Sequence, residues 1–328
     1  MTRPHDRRPR LIEGPVVPVV VALALVVAIS AACSPGKPMT TAMQRGHTVD
    51  PSSGCARQEP AGAVAPGRER SENLRTGTVT GSYELSVPAT YRRRHPAALV
   101  IAFYGFASDP SQFSTLTGLP TRGSGDGYLV AVPHDQAGEA EWQFSGHGTD
   151  AAFVDGVVGS LEDTYCIDER AVFAVGFSAG AAFTIAYSCA HEDQIAAMVT
   201  VAVEFQLGCT RPLSLLAFHG TSDPLVPYTN GATGLSLPGV KVRGTQLNMG
   251  DWARLDRCRT DPRRRVIGSQ VVRQQWVGCA DGTRVVLYTI VGGGHAWPGA
   301  DPALAIGLTT QQVGATSEAL AFFDGFRR

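Results

Sequence analysis

The sequence predicts an α/β fold: one doubly wound, mostly parallel sheet with helices on both faces, forming a single domain. Three observations carry this. Short, continuous apolar runs alternate with helical stretches, as strands buried on both faces require. One strand-like run, Ala171 to Val175, passes through Gly176-Phe177-Ser178-Ala179-Gly180 into a small-residue helix from Ala181 to Ala190. The 328 residues, 44% of them hydrophobic, are enough to bury one large core, and a catalytic unit of about 250 residues needs no second folded domain.

The N-terminus comes first. Arg3, Arg7, Arg8 and Arg10 precede the apolar stretch Val16 to Ile29, and Ser30-Ala31-Ala32-Cys33 follows. Charged region, hydrophobic region and small-residue cleavage site make residues 1–33 a signal peptide. The alternative, a membrane anchor, is disfavoured because the stretch falls short of the roughly 20 apolar residues a span needs. Cys33 after two alanines resembles a bacterial lipobox, with Ser30 at the usual Leu position, and is the candidate lipidation site. Residues 34–74, rich in Pro, Gly, Ser and charge without apolar period, read as a flexible linker, and the catalytic domain is assigned to residues 75–328.

From Thr78 the pattern alternates, with Val79, Tyr83, Leu85 and Val87 on one parity, as in a half-buried antiparallel strand. Buried strands are then expected at Ala97 to Phe103, Tyr128 to Val132, Ala171 to Val175, Ala197 to Val203, Leu213 to Phe218 and Val285 to Val291. Helices are expected at Asp150 to Thr164, Ala179 to Ala190 and Thr316 to Phe326, with Asp150 and Asp155 serving a helix end. Thr229 to Gly250 reads as a Gly-rich loop able to overhang a site.

The formal charge is −1, and only Lys37 and Lys241 among the 28 basic residues are lysine. Apart from the N-terminus, Arg92 to Arg94 and Arg263 to Arg265, the arginines are scattered, which gives nucleic-acid binding no support. Seven cysteines become six when Cys33 is set aside, a disulfide number for an exported protein. Cys258 with Cys279 closes a loop of roughly twenty residues, worth on the order of 3 kcal/mol in the chain-entropy picture. Cys189 with Cys209 is the next choice, which leaves Cys55 with Cys166. No cysteine pair has zinc-ligand spacing, so neither metal nor cofactor is expected.

The pentapeptide around Ser178 has the form of a nucleophile elbow, in which small flanking residues let the chain bend and lift a hydroxyl above the sheet. The catalytic order Ser, acid, His then selects its partners. After Asp223 the chain has one histidine, His295, in a glycine-rich loop beyond the strand ending at Val291. Asp223 follows the strand ending at Phe218 and can accept from the imidazole and set its tautomer. Asp251, Asp256, Asp281 and Asp301 compete for that role and read more simply as helix or turn residues. The oxyanion donors are assigned to the backbone N–H groups of Ala179 and Phe106. Trp297, Trp142, Phe177 and Tyr228 are candidate substrate-binding aromatics.

From Arg75 onward the chain resembles the secreted polyhydroxybutyrate depolymerase and feruloyl esterase-like branch of the α/β-hydrolases. The residues that carry the resemblance are Tyr83 to Pro88 with Tyr91, Val100 to Phe106, Tyr165 to Asp168 before Arg170 to Phe173, the elbow, His219 to Asp223 with Pro227-Tyr228, and Gly293 to Gly299. The resemblance implies an extracellular or envelope-attached carboxylic-ester hydrolase with Ser178, Asp223 and His295 as its triad. It also supports pairing Cys258 with Cys279. Its substrates would be feruloyl, acetyl or short-chain acyl esters, free or linked to polysaccharide. Family members usually carry His-Gly at the oxyanion turn, whereas this chain has Tyr104-Gly105. Backbone donation is expected to survive that change, with altered polar surroundings. Acyl transfer to an alcohol, and a non-catalytic envelope binding lipoprotein, are the alternative readings. A membrane partner is expected only through an N-terminal lipid.

Overall fold

The computed structural model describes residues 48–58, 60–136, 142–229, 243–259 and 261–326. The signal peptide, Cys33 and the first part of the expected linker lie outside the described residues. One unit spans His47–Arg328.

Among its described residues, ten strands form one sheet: β1 (Glu69–Thr76), β2 (Val79–Ser86), β3 (Ala97–Phe103), β4 (Leu129–Pro133), β5 (Ile167–Phe177), β6 (Ile195–Val201), β7 (Ser214–Gly220), β8 (Arg263–Ile267), β9 (Val271–Trp276) and β10 (Val285–Ile290). Their spatial order is β1-β2-β4-β3-β5-β6-β7-β10-β9-β8. The six central strands, β4 to β10 in that order, pair parallel, and antiparallel strands flank them on both edges. Their residues are buried almost without break, which is why they read as apolar runs rather than alternations.

Among the described residues six α-helices connect them: α1 (Pro110–Thr117), α2 (Leu119–Gly125), α3 (Thr149–Thr164), α4 (Ala179–Ala190), α5 (Thr245–Leu255) and α6 (Ala315–Phe323). Opposite parity along β5 shows both faces covered. The Phe173 ring stacks on Phe323 of α6 at 4.5 Å, whereas a Cβ at Gly176 would meet Thr184 Oγ1 of α4 at 2.3 Å; residues three apart on a strand point to opposite faces. Each large side chain buried this way contributes about 1.5–3 kcal/mol.

Three expectations change, and one cluster that the sequence left unassigned finds its place. The linker does not run to residue 74. Ser52 donates its hydroxyl to the Tyr165 carbonyl at 2.9 Å, Ser52 N–H bonds the Ile167 carbonyl, and β1 pairs with β2 along its whole length. Folded structure therefore starts by residue 48, because these polar residues are tied by backbone bonds and by Cys55 rather than by an apolar pattern. The expected Thr229 to Gly250 loop is helical from Thr245 onward, and residues 230–242 lie outside the described residues. Asp150 does more than serve a helix end: its buried carboxylate accepts from Gln136 N–H and Gln143 N–H, both at 2.6 Å. Finally, the Arg263 to Arg265 cluster is an exposed edge strand, β8, whose charge disfavours pairing with another chain.

All six remaining cysteines are paired, as Cys55–Cys166, Cys189–Cys209 and Cys258–Cys279. That pattern fits an oxidising, extracellular setting. Among the described residues no helix is long and apolar enough to cross a membrane.

Candidate active site

Ser178 occupies the junction between β5 and α4 with φ 56° and ψ −120°, a conformation that costs a non-glycine residue about 1–3 kcal/mol. The surrounding backbone enforces it. Ser178 N–H donates to the Val201 carbonyl at 2.9 Å, and the Ser178 carbonyl accepts from Ala181 and Ala182 N–H as α4 starts. A Cβ on Gly180 would lie 2.2 Å from the carbonyl oxygens of Phe103 and Tyr104. The elbow can press against β3 only without that atom. Gly180→Ala is expected to destabilise the fold by about 3 kcal/mol, the upper end for overpacking, read as a lower urea midpoint; a midpoint equal to the parent's would mean the turn opens without loss.

Beside the elbow, the turn Tyr104-Gly105-Phe106 leaves β3. A Cβ on Gly105 would sit 3.4 Å from the Ser178 Cβ and the Phe177 ring, so this turn borders the serine. The Phe106 side chain is exposed. Tyr104 turns away into the protein. Its hydroxyl donates to Asp135 Oδ1 at 2.5 Å and accepts from Asp135 N–H at 2.8 Å, and its carbonyl accepts from Trp142 Nε1 at 2.9 Å. Burial, then the bond to Asp135, pushes the phenol far above its ordinary range. Tyr104 thus braces the turn as a neutral phenol, with Gly105 set against the serine.

Asp223 lies three residues beyond β7. Its Oδ1 accepts from Leu225 N–H at 2.8 Å and Val226 N–H at 2.9 Å, a local turn that leaves Oδ2 free to meet His295 Nδ1 at 2.8 Å. Burial alone would raise its pKa. The hydrogen bond and charge of His295, with the two backbone N–H groups, outweigh burial and hold the carboxyl below the usual range. His295 is presented by a loop packed without side chains: a Cβ on Gly220 would lie 2.3 Å from the Gly293 carbonyl oxygen, and one on Gly294 2.2 Å from that of Ile306. A bridge of His295 N–H to the Ile306 carbonyl at 2.8 Å steadies the loop. With Nδ1 donating to Asp223, the neutral tautomer leaves Nε2 as a bare base. Phe177, adjacent to Ser178, lays its ring 4.9 Å from the imidazole, so the loops bearing Ser178, Asp223 and His295 meet beyond the C-terminal ends of β5, β7 and β10.

No protein-family model matches this chain. A probable feruloyl esterase C of Aspergillus flavus is 31% identical over 160 residues, 46% of this chain and 58% of that protein. Feruloyl esterase D of Neurospora crassa is 27% identical over 266 residues, 74% of this chain and 86% of that protein. The structure of an acetyl xylan esterase from Aspergillus awamori superimposes with a TM-score of 0.54 at 12% identity, over 78% of this chain and 99% of that one. The chain has an α/β-hydrolase fold and is similar in sequence to feruloyl esterases. This α/β-hydrolase spans 58% of the length of the first of those relatives.

Two of the aromatic candidates are corrected. In this α/β-hydrolase Trp142 is buried, stacked on Phe183 at 4.8 Å with its N–H on Tyr104. Trp297 is buried against Phe113, and its Nε1–H donates to Thr316 Oγ1 at 3.0 Å. Both indoles fill the core because each finds a buried acceptor for its single donor. Tyr228 is half-buried, bonded to Thr289 Oγ1 at 2.8 Å, and its ring meets His219 edge-on at 5.6 Å. Phe177 remains beside the imidazole. A groove of about 700 Å3 between α2 and α6, lined by Thr117, Arg122, Gly299 and Ser317 among others, includes none of Ser178, Asp223 or His295.

Sequence reasoning missed Asp135 and Glu204, which hold Tyr104 and His219. The only signal was indirect: an out-of-place phenol at the turn, and a histidine four residues before Asp223.

Proposed function

We propose that this chain is an exported serine esterase that hydrolyses carboxylic esters through Ser178, His295 and Asp223. The Asp223–His295 hydrogen bond beside a strained serine elbow carries that reading. Ser178 Oγ attacks the ester carbonyl carbon while His295 Nε2 takes its proton. The carbonyl oxygen becomes an oxyanion facing the N–H groups of Ala179 and Phe106, each donor worth about 3 kcal/mol at the transition state. Collapse breaks the ester C–O bond, and His295 returns the proton to the leaving alcohol. Water, deprotonated by the same nitrogen, then attacks the acyl carbon; the acid departs and Ser178 regains its hydrogen. Asp223 keeps its charge and stabilises the imidazolium throughout.

Feruloyl, acetyl or short-chain acyl groups, including those on polysaccharide, are the proposed substrates. The relatives named above support that class, and exposed Phe106 with Phe177 offers flat apolar surface for a phenolic ring. Residues 1–33 would direct export, and Cys33 would carry a lipid if the chain stays at the envelope.

Hydrolysis of p-nitrophenyl acetate, p-nitrophenyl butyrate and methyl ferulate by residues 34–328, beside the Ser178→Ala variant, tests the reading. The variant should lose about 10^4- to 10^6-fold in kcat, and the preferred ester assigns the acyl class. Equal rates in parent and variant would dismiss the serine mechanism.

A further inference from the structure

Next to the proposed triad lies a second carboxylate–imidazole pair that the mechanism leaves unused. Glu204 follows β6 and His219 is the penultimate residue of β7, each about 2% exposed. His219 Nδ1 lies 2.6 Å from Glu204 Oε2 and 3.0 Å from Thr245 Oγ1. Its Nε2 is 2.9 Å from the Val226 carbonyl oxygen, an acceptor only, so Nε2 carries a hydrogen. The short contact at Nδ1 therefore holds the pair's other proton. Asn248 Nδ2 donates to the other Glu204 oxygen at 3.0 Å, which favours the carboxylate, and hence the imidazolium.

The electrostatics agree. Burial works against both charges, but their mutual attraction and hydrogen bonds prevail, holding His219 above and Glu204 below their ordinary ranges. What makes the pair more than a structural ion pair is its direction. His219 Nε2 lies 3.6 Å from Asp223 Oδ2, the same oxygen that receives His295 Nδ1–H. The titratable groups around His219 are Glu204 beyond β6, Asp223, and Tyr228 edge-on from the acid loop; α5 contributes the uncharged Thr245 and Asn248. Asp223 in turn faces His295 and His219.

We infer that Glu204 and His219 are positioning residues for the acid of the triad: the buried imidazolium pins the Asp223 turn to β7 through the Val226 carbonyl and steadies the Asp223 carboxylate at the oxygen that meets His295. The Glu204 carboxylate keeps the charge on His219. The inference rests on the serine-esterase reading.

His219→Gln retains a donor for Val226 but leaves Glu204 buried without a counter-charge, which alone can unfold the protein. The double variant Glu204→Gln/His219→Gln replaces the ion pair with two neutral amides and keeps the test sound. In the folded double variant, checked by circular dichroism and melting, kcat should fall on the order of 10- to 100-fold with KM little changed, as small misplacements near the chemistry do. The acid limb of the kcat/KM profile should move to higher pH, because removing a cation beside Asp223 strengthens the carboxylate's hold on the catalytic imidazolium. A packing role would lower the melting temperature and leave that limb in place. Unchanged kcat and an unchanged limb in a folded double variant overturn the inference.

The serine reading is tested separately by Ser178→Ala in the same assays. Proton NMR of that variant reads the pair without any turnover: His219 should show two ring N–H resonances around neutral pH, and the His295 Nδ1–H resonance should move when the double substitution is added. A single ring proton on His219, or an unmoved His295 resonance, overturns the inference whether or not the esterase reading holds.

Discussion

Asp223→Asn should lower kcat on ester substrates by about 10,000-fold while the protein stays folded. The reason is local. The turn keeps an oxygen at the Oδ1 position, because Leu225 and Val226 N–H both need an acceptor there. The amide nitrogen of asparagine must then take the Oδ2 position and point its hydrogens at His295 Nδ1. Donor faces donor, so the imidazole relieves the clash by moving its proton to Nε2, and the base that should receive the serine proton is lost. Rates on p-nitrophenyl acetate measure this directly. A loss under about tenfold, far below what such a tautomer swap costs, would point to another acid. The competing aspartates are engaged elsewhere: Asp251 pairs with Arg243 and Arg254, Asp256 accepts from Leu213 N–H, Asp281 sits in a turn with φ 54°, and Asp301 caps the short turn at Ala303.

Removing the Cys55–Cys166 bridge by a double serine substitution should destabilise the protein by about 4–5 kcal/mol, the largest effect of the three disulfides. Its cysteines are 111 residues apart, against 20 for Cys189–Cys209 and 21 for Cys258–Cys279. In the chain-entropy picture the shorter loops contribute about 3 kcal/mol each. The long bridge also anchors the segment that carries Ser52 and Asp50 onto the start of β5. Urea midpoints of the three double variants rank the contributions. Equal losses would show that the unfolded-state loops are not the source of the stability.

Much of the fold was legible because a buried parallel strand must be a continuous apolar run and a covering helix must be periodic. β3, β5, β7, β10, α3 and α4 follow directly from those patterns. α1 had a signal that went unread: Asp109 caps it by accepting from Gln112 N–H, Pro110 opens it, and Gly118 closes it at φ 59°. β1, β8 and β9 had none to read. β1 and β8 are largely polar and exposed, and β9 carries Arg273, Gln274 and Gln275 in its half-buried middle; what makes them strands is a neighbouring backbone with free hydrogen-bonding groups, which sequence periodicity does not record.

The same division holds at the candidate site. Ser178, Asp223 and His295 could be selected as candidates because nucleophile, acid and base must follow particular strands, and because Gly176, Gly180 and Gly294 mark where backbones approach too closely for a Cβ. Trp142 and Trp297 could not be placed, since an indole serves a core and a binding wall equally well until its N–H partner is known. Nor could Glu204 be tied to His219, or Asp135 to Tyr104. Those pairs join residues from separate strands and loops, and a buried charge or phenol finds its partner only when the packed sheet brings the two together and shuts out the water that would otherwise serve each of them.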